Sequence, residues 1–110
     1  MKKEIFESKF GFIEYTYEIT DKYPNGLFIF MGSYIKKEFR NKGYFKIMIK
    51  ELFSNFKIGT TIQLATINKN LEKFFLRLNF NIVDYIEYWN NTTNTVKMQG
   101  ILTKELFQSI

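Results

Sequence analysis

The sequence predicts an α/β (α+β) domain spanning residues 1–110, a mixed sheet of about six strands with two main helices in the order β-β-β-α-β-α-β-β. Three observations carry this. A length of 110 residues suits one compact domain, and a 45% hydrophobic content with 13 Phe, 7 Tyr and 1 Trp supplies enough apolar bulk for one core without a disulfide or metal. The spacing of the apolar positions switches twice between the two-residue period of a strand and the 3.6-residue period of a helix. Turn-forming residues, not long flexible linkers, separate those segments.

Residues 3–8 alternate weakly, and residues 10–19 are rich in aromatic and β-branched side chains, so both read as strands with a turn near Lys9-Phe10-Gly11. Pro24-Asn25-Gly26 is a turn, because Pro presets one dihedral and Asn-Gly tolerates positive φ. Residues 27–35 form an almost continuous apolar run, the pattern of a strand buried on both faces. From Tyr44 to Phe56 the period is helical, with Phe45, Met48, Ile49, Leu52 and Phe56 on one stripe, and Gly59 lies in the segment that ends it. Residues 61–67 return to a strand. Asn68 is a helix N-cap, Leu71, Phe74, Phe75 and Leu78 make the buried stripe, and Asn79 suits the left-handed residue that closes the helix. Two last strands, 81–89 and 95–102, flank the polar loop 90–94.

Composition narrows the chemistry. Without Cys there is no thiol nucleophile or thiolate metal site, and without His there is no imidazole base or zinc ligand. Reaction chemistry then falls to carboxylates, Tyr, Lys, Ser/Thr, main-chain amides or a cofactor. No run reaches the roughly 18 apolar residues of a membrane span, and the first four residues lack the apolar stretch of a secretory signal, so a cytoplasmic protein is expected. Residues 31–60 carry seven Lys/Arg against two acids, which accounts for a local excess equal to the net charge of +5. Two readings of that block are open: a solvated helix face, or an anion site for nucleic acid or a phosphorylated cofactor.

The block centres on a strand-to-helix junction, residues 35–46. The first amides of a helix lack intrahelical partners and the macrodipole is positive there, so such a turn is a natural anion site. Gly43 would let a ligand approach the main chain, and Arg40, Lys42 and Lys46 would add charge. The spacing is neither that of a Walker loop nor G-x-G-x-x-G, and an ordinary Gly-containing loop with solvated lysines is the other reading.

Arg40-Asn41-Lys42-Gly43-Tyr44-Phe45 resembles the cofactor signature [R/Q]-x-x-G-x-[G/A] of the GCN5-related N-acetyltransferases (GNAT), with Phe45 in place of the small residue. Asn68, Leu71, Phe74, Phe75, Asn79 and Phe80 fall in the frame of that family's N-x-x-A-x-x-[F/L]-Y-x-x-x-G-F, and the likeness extends over residues 10–102. The resemblance implies that acetyl-CoA is the cosubstrate, with no metal. It implies that amides of Asn41, Lys42, Gly43, Tyr44, Phe45 and Lys46 hold the pyrophosphate. It further implies that the main chain near Ser33, Tyr34 and Ile35 pairs with the pantetheine arm, and that Asn68 and Phe75 border the cofactor. The implied activity is transfer of acetyl to a primary amine, such as a protein lysine or a terminal amine.

Two departures bear on that activity. Phe75 stands where many members have a Tyr that protonates the departing thiolate, and Phe cannot donate; its other reading is a member of the apolar stripe. Few residues precede the main strands, where typical members have further helices, so the resemblance implies an acceptor cleft that is open or completed by a second copy of the chain. Candidates for the base are Glu14 and Glu18, four apart and so on one face of a strand, and candidates for a replacement acid are Tyr34, Tyr85 and Tyr88. Solvent-facing glutamates and core tyrosines are the structural alternatives. Two rival functions differ in class. One is a GNAT-fold module that binds coenzyme A or a protein without efficient catalysis. The other is a nucleic-acid-binding domain, disfavoured because the aromatics follow core periodicities and do not interleave with basic residues.

Overall fold

In a computed structural model, residues 2–87 and 94–110 are described. Six strands, β1 (Lys3–Ser8), β2 (Gly11–Glu18), β3 (Leu27–Ile35), β4 (Thr61–Thr66), β5 (Asn81–Glu87) and β6 (Asn94–Ile101), make one sheet in the order β1-β2-β3-β4-β6-β5. Helix α1 (Tyr44–Phe53) connects β3 to β4, α2 (Lys69–Arg77) connects β4 to β5, and α3 (Lys104–Ser109) follows β6. The expected element order therefore holds. The expected strand over 81–89 ends at Glu87, and Tyr88, Trp89 and loop residues 90–93 lie outside the described residues.

The first three strands form an antiparallel meander, and Lys9 and Phe10 make the first turn. Gly11 is required where β2 meets β3, because a Cβ there would stand 1.9 Å from the Tyr34 carbonyl oxygen. Strand β4 then pairs parallel with β3, and only over Leu27–Phe30 opposite Thr61–Leu64. Beyond Phe30 and Leu64 the two strands part. Residues 31–35 of β3 continue beside β2, while Ala65 and Thr66 continue beside β6. A bulge marks the parting: Glu14 pairs with Gly32 and Tyr15 with Phe30, so Met31 is the extra residue on β3.

One core lies between the sheet and the helices. Ile13, Phe28, Phe30, Ile62, Leu64, Val96 and Met98 of the strands share it with Met48, Ile49, Leu52 and Phe53 of α1, Phe75 of α2 and Leu106 of α3. Burying a Leu, Ile or Phe side chain of this kind contributes about 1.5–3 kcal/mol. The opposite face of the sheet carries no helix among the described residues.

Three expectations are corrected. Strand β3 is not buried on both faces: Phe28 and Phe30 point into the core, whereas Met31 at the bulge and Tyr34 beyond it are exposed. The unbroken apolar run thus reports two environments in succession. Helix α1 stops at Phe53, three residues before Phe56, because Ser54 Oγ donates to the Glu51 carbonyl and Asn55 Nδ2 to those of Glu51 and Leu52. Side chains thereby satisfy carbonyls that further helical turns would have used. Helix α3, absent from the sequence reading, is capped by Thr103, whose side chain accepts from the Leu106 amide, and it buries Leu106. Six residues are too few to display a helical period.

Candidate functional site

Residues 35–46 form a turn at the end of β3 that delivers the chain into α1. A single 3-10 turn at Lys37–Phe39 comes first, then Asn41 in the left-handed region (φ 61°), then Gly43 as the α1 N-cap (φ 80°). An L side chain at Gly43 would be strained by that φ, yet a Cβ there would meet nothing within 4 Å. The space over Gly43 is open. No side chain caps the helix, so the first amides of α1 are left without an intrahelical or side-chain partner.

An aromatic cluster supports the turn from beneath. Phe10 stacks on Tyr44 with centroids 4.0 Å apart, and Phe39 meets both rings edge-on. The Lys36 amide donates to the Phe10 carbonyl at 2.8 Å, tying the turn to the β1–β2 corner. Arg40 is held as well: its Nε donates to the Ile35 carbonyl at 2.8 Å and its guanidinium lies 5.3 Å from the Tyr34 ring centroid. Those contacts engage Nε and one face of the guanidinium, and its terminal nitrogens have no hydrogen-bond partner among the described residues. The hollow over the turn, about 450 Å³, is lined by Ser33, Tyr34, Ile35, Arg40, Asn41, Gly43 and Tyr44, among others.

The hollow adjoins a groove of about 280 Å³ between the end of β3 and α2, bordered by Ser33, Ile35, Phe45, Asn68, Leu71 and Arg77. Asn68 is fixed as the α2 N-cap: its side-chain oxygen accepts from the Asn70 and Leu71 amides. Phe45 lies half-buried, edge-on to Phe30 and Phe74, and so closes the groove floor between the two helices. Phe75 does not border the groove. It is fully buried among Phe30, Phe74 and Phe80, as a member of the apolar stripe. Lys42 and Lys46 are exposed at the start of α1, and neither forms an ion pair among the described residues.

On the other side of the sheet, where β3 and β4 part, lies a cleft of about 430 Å³ lined by Ile29, Met31, Gln63, Ala65, Val83 and Lys97, among others. This cleft was not foreseen. Gly32 inside an apolar run was the one signal for the bulge that opens it. Of the candidate base residues, Glu14 pairs in register with Gly32 beside the bulge and forms an ion pair with Lys3 at 3.0 Å. Tyr34 is exposed, with Phe12 stacked beside it. Tyr85 lies in β5 opposite Val96; the placement of its side chain is outside what is described. Among the described residues no group of three or more metal-ligating side chains gathers, and no helix is long and apolar enough to cross a membrane.

No protein-family model and no curated protein sequence matches the chain. Solved structures do. Naa50 of Arabidopsis thaliana, in complex with the bisubstrate analogue CoA-Ac-MVNAL, superposes with a TM-score of 0.64 at 18% identity, over 83% of this chain and 64% of that one. A GNAT-family acetyltransferase of Streptococcus pneumoniae gives 0.63 at 16% identity, over 84% and 59%. Ard1 of Thermoplasma volcanium gives 0.61 at 16% identity, over 86% and 64%. The chain therefore has the GNAT fold, and it spans about 64% of the length of the first of these proteins.

Proposed function

We propose that this chain is an acetyl-CoA-dependent N-acetyltransferase acting on a primary amine. The observation that carries the proposal is the pairing of two features on a GNAT fold. An uncapped helix start flanked by Arg40, Lys42 and Lys46 sits at the end of β3, and earlier along that strand, past Phe30, its pairing with β4 stops beside a cleft. The residues present fit the group. Uncapped helix amides and unpaired cations suit a pyrophosphate, open space over Gly43 admits it, and a groove past Ser33 and Ile35 adjoins the turn.

Bound acetyl-CoA supplies a thioester carbonyl; the chain supplies position and dipoles. Strand amides released by the bulge at Met31 are the donors suited to a developing oxyanion. The neutral amine nitrogen would add to the carbonyl carbon, placing charge on the carbonyl oxygen, and the carbon–sulfur bond would then break. The electron pair would leave on sulfur as a thiolate that solvent can protonate, and the amine would have to shed its surplus proton. Glu14, beside the bulge in the register, is the candidate to accept that proton through water. Holding the two reactants in line accounts for much of the expected acceleration.

A second reading has one observation in its favour. Phe75 is a fully buried apolar residue where a proton donor stands in many members, which suits a module that binds coenzyme A without efficient turnover. Two measurements separate the readings. Acetyl-CoA at 100 times its Kd is expected to stabilise the protein by about 2.7 kcal/mol, read as a rise in melting temperature. No rise at millimolar ligand overturns both. Free-thiol release above the no-protein rate with an amine panel supports the transferase; release at the background rate supports the module.

A further inference from the structure

Strand β1 is the outer strand of the sheet, and its far side has no strand beside it among the described residues. The hydrogen-bond pattern fixes which main-chain groups stand on that side. The Lys36 amide donates to the Phe10 carbonyl, so Phe10, and with it Phe12 and Glu14, turn their main-chain groups toward β3. The alternate residues Gly11, Ile13 and Tyr15 turn theirs toward β1, where they meet Ser8, Phe6 and Glu4. Lys3, Ile5 and Glu7 are left with N–H and C=O groups aimed outward.

The same three residues share the helix-free face, since they stand opposite Thr16, Glu14 and Phe12. Ile5, in the middle, is 54% exposed. Lys3 lies to one side of it and Glu7 to the other, and Glu7 forms no ion pair among the described residues. The strand has no Gly or Pro and pairs with β2 without a bulge, so only its charges stand against strand addition. Those charges select one partner. In an antiparallel second copy centred on Ile5, Ile5 faces Ile5, Lys3 faces Glu7 of the second copy, and Glu7 faces its Lys3. Each facing pair exchanges two main-chain hydrogen bonds and sets matched side chains together. A shift by one residue faces Ile5 with Phe6, whose main-chain groups are already used by β2, so no ladder forms. A shift by two sets Ile5 against a charge, and a parallel copy brings like charges alongside each other.

We propose that this edge is a self-association surface, at which β1 pairs with β1 of a second copy of the chain about a twofold axis at Ile5, joining the two sheets into one. The proposal is independent of the transferase reading. A six-residue edge buries less than the interface of a permanent dimer, so the association is weak and grows with concentration.

Sedimentation equilibrium of the full chain from about 10 µM to about 1 mM spans that weak range, and a rising dimer fraction is expected. Ile5→Lys changes an exposed side chain, so the melting temperature should hold, while two cations set face to face weaken the dimer at least about tenfold. A charge exchange tests the register. Glu7→Lys alone and Lys3→Glu alone each place like charges opposite one another at both ends, and each is expected to sediment as a monomer. Mixed in equal amounts, the two variants restore both opposite pairs, and the dimer is expected to return. Lys3→Glu also loses the ion pair with Glu14; if it fails to fold, Ile5→Lys and Glu7→Lys decide the matter. A parent chain that is monomeric throughout the range overturns the proposal. A dimer that survives Ile5→Lys or a charge variant places the interface elsewhere and overturns it too, as does a mixture no more associated than its components.

Discussion

At the scale of single residues, Arg40 shows how a surface cation is held in place beside the proposed cofactor site. Its Nε is held by the Ile35 carbonyl and its plane by Tyr34, so the remaining nitrogens are presented with little further loss of side-chain freedom. Charge-assisted hydrogen bonds contribute about 1.5–3 kcal/mol. Arg40→Glu is therefore expected to weaken acetyl-CoA roughly tenfold or more, read by calorimetric titration, with little change in the melting temperature of the free protein. Tyr15 is a residue of the other kind, structural and not functional. Burial against Phe28 and Phe56, and then the facing Glu4, push its phenol above the ordinary value of 10.0. The neutral phenol is the form that the fold favours. Its contribution is complete below pH 10 and is lost as pH rises through the folded-state value, because the unfolded chain ionises first. Denaturant titrations of the parent and of Tyr15→Phe should show a smaller loss of stability above pH 10 for the variant; identical slopes would remove this account.

Elements differed in how far the sequence revealed them. Helix α2 was fully legible, because its cap, its i, i+3, i+4, i+7 stripe and its closing Asn79 are local signals, and the structure shows each one in place. Asn68→Ala removes a side chain that accepts two amides and should cost about 1 kcal/mol, visible as a lower denaturation midpoint with unchanged slope. Helix α1 was legible at its start and not at its end, since hydroxyl and amide side chains at Ser54 and Asn55 ended it before the apolar stripe ran out. Strand β3 was legible as a strand but not as the site of a bulge. A run of apolar residues carries no alternation from which a one-residue slip could be detected. The turn at 35–46 was visible as a concentration of charge and a lone Gly43, whereas the cleft at Ile29, Met31, Val83 and Lys97 was not, because it joins strands distant in sequence.

For the molecule as a whole, the absence of Cys leaves one hydrophobic core to hold sheet and helices together. Phe75 sits where strand and helix layers meet, touching Phe30, Phe74 and Phe80. Phe75→Ala is expected to cost about 3–5 kcal/mol, a large part of the 5–15 kcal/mol of a typical domain. A melting temperature lowered by only a few degrees would show that the core collapses around the gap. Phe75→Leu, which keeps most of the volume, should lose far less.

The seam between β3 and β4 has a further consequence. It joins the meander of residues 3–35 to the β4–β6–β5 unit through four registered residue pairs, whereas β2 and β3 are joined by eight. The cleft thus lies along the sparsest main-chain connection among the described strands, and a molecule filling it would act as a splint between two halves. Breathing of the unliganded protein should concentrate there, and the same cohesion that binds a ligand should make the two halves fluctuate as one.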